Sequence, residues 1–109
     1  MVEQIYIVIQ EGVYRHDIKG AYFEQSDAID RAVEGIKQEE DDYHRYIVLK
    51  CVMGKPIDDA ELVMEVSCSI DLDKQKTIYK KSKGDLTREE QERRRKDATC
   101  NIAVTLDFK

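Results

Sequence analysis

Two histidines stand in the chain, each in a polar run with a carboxylate beside it: Tyr14-Arg15-His16-Asp17 and Asp41-Asp42-Tyr43-His44. Imidazole is the side chain whose ordinary pKa lies near neutral pH. His16 and His44 with Asp17 and Asp42 are therefore the material of an acid–base pair or of a divalent-metal site. The reaction such a set would run is metal-assisted hydrolysis of a phosphodiester or nucleotide, the metal activating water and polarising phosphate oxygens. The spacing argues against it, because no HxH, HExxH or CxxC pattern is present. The commoner role of such residues is to accept loop amides and tether the loops. Tyr14, Arg15 and Tyr43 at the same place suit a small ligand as a further alternative. Ser26, Ser67, Ser69 and Ser82 lack a nucleophile-elbow context, and no glycine loop is built to cradle phosphate. No catalytic residue, metal or cofactor is assigned on these grounds, and binding is favoured over catalysis.

Charge supplies the other candidates. Glu39-Glu40-Asp41-Asp42 follows a stretch holding Glu24, Asp27, Asp30 and Glu34. Together they predict an acidic ridge, either a solvated surface or one that imitates a phosphate backbone and fills a basic cleft. Arg93-Arg94-Arg95-Lys96 invites a nucleic-acid reading. Against it, Glu89, Glu90 and Glu92 stand four residues before Arg93, Arg94 and Lys96, the favourable order for helix ion pairs. No aromatic residue interleaves to stack on bases. The run reads as one face of a solvated charged helix, with an acidic protein as the alternative partner.

These residues need elements to hold them. Ile5, Ile7 and Ile9 alternate with Tyr6, Val8 and Gln10, which predicts a central strand over 4–10 with both faces apolar. A polar loop over 11–19 leads to a short strand over 20–24. Ser26 is the expected N-cap of a helix reaching Gln38, with Ala28, Ile29, Ala32, Val33 and Ile36 on one face. Strands follow over 46–53 and 62–72, with a turn over 73–76 and a hairpin return over 77–81. Thr87 and Glu90 have capping-box spacing, and a charged helix over 87–98 has nothing apolar between Thr87 and Asp97 to bury. Ile102, Val104, Leu106 and Phe108 alternate as a last strand. The expected fold is α+β: one mostly antiparallel sheet, an amphipathic helix on one face, and a highly charged helix standing in solvent. The order of elements returns the chain to one end after the first strand and again after the first helix, so both histidine runs are expected at one pole.

Size and composition fit a single domain. The chain has 109 residues, 41% hydrophobic and 38% charged, with a formal charge of -5. Residues 1–54 hold all of that excess and form an acidic half, while 55–109 balance to zero around a basic stretch from Lys74 to Lys96. Net negative charge disfavours direct binding to nucleic acid or to anionic membrane, and no apolar run has spanning length. Cys51, Cys68 and Cys100 form no paired pattern and fit reduced thiols in a cytosolic setting. No signal peptide is expected.

Glu11-Gly12-Val13-Tyr14-Arg15-His16-Asp17-Ile18-Lys19-Gly20, an Ala-containing helix, and Asp41-Asp42-Tyr43-His44-Arg45-Tyr46 together resemble small uncharacterised proteins of bacteriophages and bacteria. These share an EGVYRHDI-x-G loop and a DDYH-x-Y segment, and the resemblance covers residues 4–53. It implies a phage-type origin and an accessory role rather than a reaction. The reading that joins charge and resemblance is a non-enzymatic protein of the host cytoplasm that inhibits or modulates a host protein. A nucleic-acid-handling defence nuclease is the natural target, in the manner of an anti-CRISPR. Its expected contacts are Glu34, Glu39, Glu40, Asp41 and Asp42, with Arg93, Arg94, Arg95 and Lys96 as a second contact. A homodimer through the last strand is left open.

Overall fold

Apolar residues at successive positions of Gln4–Glu11 (β1) and Arg45–Val52 (β3) put hydrophobic side chains on both faces of a sheet, and these two strands pair at its centre. The computed structural model describes the backbone of residues 3–12, 16–56 and 59–106, and their side chains apart from those of His16 and residues 99–106. Five antiparallel strands lie in the order β2-β1-β3-β4-β5, with β2 at His16–Tyr22, β4 at Glu61–Ile70 and β5 at Lys76–Ser82. Helix α1 (Gln25–Gln38) links β2 to β3, and helix α2 (Arg88–Leu106) follows β5. The α+β class read from the sequence, with a single antiparallel sheet and two helices, is the observed one, but the second strand begins at His16, inside the stretch read as a loop. No helix among the described residues is long and apolar enough to cross a membrane.

Each helix takes one face. Tyr6, Val8, Tyr46, Val48, Val66 and Cys68 point toward α1, which answers with Ala28, Ala32 and Ile36, all fully buried. Gly35 lets the two layers close. A Cβ there would stand 2.4 Å from the Tyr46 ring, a distance no side chain tolerates. The helix starts one residue before the expected cap: Glu24 is its N-cap, without a side-chain cap bond, and Ser26 lies inside. At its other end Lys76 Nζ donates to the carbonyls of Ile36 (2.9 Å), Lys37 (3.2 Å) and Glu39. A cation there satisfies the orphan carbonyls and the helix dipole together.

The opposite face differs from expectation. Residues 102–106, read as the start of a last strand, continue α2, and residues 107–109 lie outside the described part. Over its charged turns α2 exposes Arg88, Glu89, Glu92, Arg93, Lys96 and Asp97 as expected. It does not stand free, however. Ala98 is fully buried against Ile9, Ile47, Leu49 and Leu62, with Leu86 in the same cluster. Ala98, Ile102 and Leu106 fall four apart, the spacing of one helix face. The alternation over 102–108 has a strand's period, and only Ile102 and Leu106 share the helical one, so the local pattern pointed to the other element.

Candidate functional site

Register fixes one pole of the sheet. Glu11, the last residue of β1, pairs with His16 on β2 and with Arg45 on β3. The backbone of His16 and the segment before Arg45 therefore flank the same strand end. Helix α1 finishes there, and its loop, residues 39–44, crosses to β3. The β4–β5 turn arrives at the same end, because β4 runs on from Val66, opposite Tyr46, to Ile70. Cys68 Sγ lies 3.6 Å from the Asp41 carbonyl and ties the loop to β4. Between loop and turn lies an open cleft of about 570 Å³, lined by Glu39, Glu40, Ile70, Leu72, Lys74 and Lys76.

On the α1 side of this pole, three potential ligand atoms of Glu39, Asp41 and His44 lie within 4.8 Å of one another. Asp41 Oδ1 is 2.7 Å from His44 Nδ1 and also accepts the Tyr43 amide at 3.0 Å. The imidazole hydrogen bond holds the Asp41 carboxyl below its ordinary pKa. Glu39 Oε2 lies 3.6 Å from the same ring nitrogen, while Oε1 accepts from Tyr46 Oη at 3.1 Å and from Gln10. Burial first, and the Glu39 carboxylate second, push the Tyr46 phenol up from its ordinary pKa. The Arg31 guanidinium sits 6.0 Å from the centre of that ring.

On the α2 side runs a chain of four charges. Glu11 and Glu65 are each 5% exposed. Arg45 Nε donates to Glu11 at 2.7 Å, and its guanidinium lies 3.6 Å from Glu65. Arg94 Nε donates to the other Glu65 oxygen at 3.0 Å. Two acids and two bases balance, which is what permits carboxylates this deep. Glu11 Oε1 is buried with no hydrogen-bond partner among the described residues.

The residues singled out in the sequence are distributed by this geometry. Tyr14 and Arg15 lie outside the described residues, and of His16 only the backbone is placed. Asp17 is half-buried on β2, and Asp42 is exposed. Tyr43 is 72% exposed. His44 gathers Glu39 and Asp41, not Asp42. Of the acidic set, Glu34, Glu40 and Asp42 face solvent, while Glu39 and Asp41 turn in to His44. The basic run divides too: Arg94 pairs with Glu65, Arg95 pairs with Glu92 at 2.5 Å, and Arg93 and Lys96 are exposed. Since α1 and α2 cover opposite faces, the acidic and basic runs form two surfaces rather than one. Sequence reading missed the contribution of Asp71 and Asp73, which the β4–β5 hairpin brings to the acidic pole. Alternation on either side of their turn was the available signal.

Burial pushes the thiols of Cys51 and Cys68 up from their ordinary pKa, so both are packed groups rather than nucleophiles. Comparison with family models, with curated proteins and with solved structures finds no match.

Proposed function

We propose that the protein is a non-enzymatic binder whose acidic surface occupies a basic cleft on a partner protein. The carrying observation is the outer face of α1. Asp27, Asp30 and Glu34 recur at helical spacing, all exposed, and the line continues into Glu40 and Asp42 on the loop. None of these five forms an ion pair among the described residues. Carboxylates placed so along a ridge present a row of negative charge that a basic groove accepts, and they reject nucleic acid. Tyr43, exposed beside Asp42, adds an aromatic anchor of the kind that concentrates binding energy. The resemblance over residues 4–53 supports a phage-type accessory role, with a nucleic-acid-handling defence nuclease of the host cytoplasm as the fitting target. Charge reversal at Glu34, Glu40 and Asp42 tests the reading, since all three are exposed and none holds the fold. The wild-type chain should capture a basic protein from host extract and release it to competing duplex DNA. The triple reversal should capture none. Undiminished capture by the reversed chain removes the acidic-ridge reading.

A further inference from the structure

β5 ends the sheet on one side, and among the described residues no strand pairs beyond it. Its seven residues match β4 from Ile70↔Lys76 to Met64↔Ser82 with no register shift, so the edge is regular. The other edge strand, β2, lies against a register shift at Val8/Ile9, a distortion of the kind that turns an edge away from further pairing. An unpaired regular edge offers a row of amides and carbonyls to any extended chain.

The side chains of β5 say which chain. Pairing with Cys68 and Val66 puts Ile78 and Lys80 on the α1 face, where Ile78 packs half-buried against the core. Pairing with Ser67 and Glu65 puts Tyr79 and Lys81 on the other face, with Tyr79 46% exposed. Lys80 and Lys81 are exposed and form no ion pair among the described residues. Glu65, the acid across from Lys81, is already engaged by Arg45 and Arg94. Lys74 and Lys83 bracket the strand with further positive charge, and Lys76 fastens its first residue to the end of α1.

We infer that the free edge of β5 docks an extended acidic segment of another polypeptide, which adds to the sheet as a sixth strand. Its apolar residues lie beside Ile78 and Tyr79, and its carboxylates lie beside Lys80 and Lys81, one on each face. A parallel, in-register second copy of β5 would set Lys80 and Lys81 against their own counterparts across the new seam, which disfavours that arrangement. This surface is independent of the acidic ridge on α1 and calls for a partner of opposite charge.

The probe is a capped heptapeptide of sequence Thr-Val-Val-Glu-Glu-Thr-Val, with its Lys-Lys counterpart as control, titrated into the intact protein. Amide spectra and hydrogen exchange report the contact. The acidic peptide should shift and protect alternate amides of β5, and its affinity should fall with added salt. The double variant K80E/K81E should bind it about tenfold or more weakly and favour the Lys-Lys peptide instead. Both positions are exposed, so an unchanged unfolding midpoint certifies the variant's fold. The inference is overturned by any of three results: no saturation at millimolar peptide, protection mapped away from β5, or equal affinity for the double variant.

Discussion

At the scale of single residues, Gly35 and Tyr46 decide how closely α1 meets the sheet. A helix interior ordinarily prefers alanine to glycine by about 1 kcal/mol. Here the Tyr46 ring, 3% exposed and held by Glu39, occupies the space a Cβ needs. Overpacking of this kind costs about 1–3 kcal/mol, so Gly35→Ala should lower stability despite its better propensity. A lowered midpoint in urea unfolding checks this, and a raised one would show that the ring yields. The phenol makes a second point. Its folded pKa lies above 10.0, so the neutral form contributes stability that is fully present below the unfolded value. That contribution is lost as pH rises from about 10 through the folded value. Stability followed between about pH 8 and 11 should fall less steeply in Tyr46→Phe than in the wild type. Parallel profiles would assign the alkaline transition to other groups. Neither effect is readable from the sequence, where Gly35 is one helical residue among fourteen and Tyr46 opens a strand.

At the scale of elements, local chemistry was legible and reach was not. Thr87 and Glu90 form the reciprocal cap that their spacing predicts, Thr87 Oγ1 accepting from the Glu90 amide and Glu90 Oε1 from the Thr87 amide, each at 3.1 Å. The ion pair that matters most to α2 was not visible. Arg94 leaves its expected helical partner, Glu90, for Glu65, far away in sequence, because a buried carboxylate gains more from a guanidinium than an exposed one does. Removing Glu65 takes away the carboxylate that Arg94 pairs with, whereas removing Arg94 leaves Glu65 its longer contact to Arg45; breaking a fully buried pair costs about 3–5 kcal/mol. Arg94 keeps some solvent contact, so the lower end of that range is expected. A double-mutant cycle with Glu65→Ala and Arg94→Ala should show a coupling of about 1–3 kcal/mol. Additive losses would mean that α2 is held by its apolar contacts alone. The length of α2 was hidden for a different reason: 102–108 alternates with a strand's period, and that local signal pointed away from the helix that holds 102–106.

For the whole molecule, the order of elements was enough to bring the two histidine segments to one end. A hairpin reverses the chain, and a helix packed on the sheet returns it, whichever strands are neighbours. What order alone could not supply was the pairing of β1 with β3, which depends on contacts between strands far apart in the chain. Nor could it supply the separation of the acidic and basic runs onto opposite faces, which follows from the place of α2. The wedge of Tyr46 against Gly35 has a consequence at this scale. Sliding or rolling α1 on the sheet would press its backbone into that ring, so the contact sets the height at which the backbone of Asp27, Asp30 and Glu34 stands. A ridge carried on a seated helix has less backbone ordering entropy to lose on association than one carried on a loop.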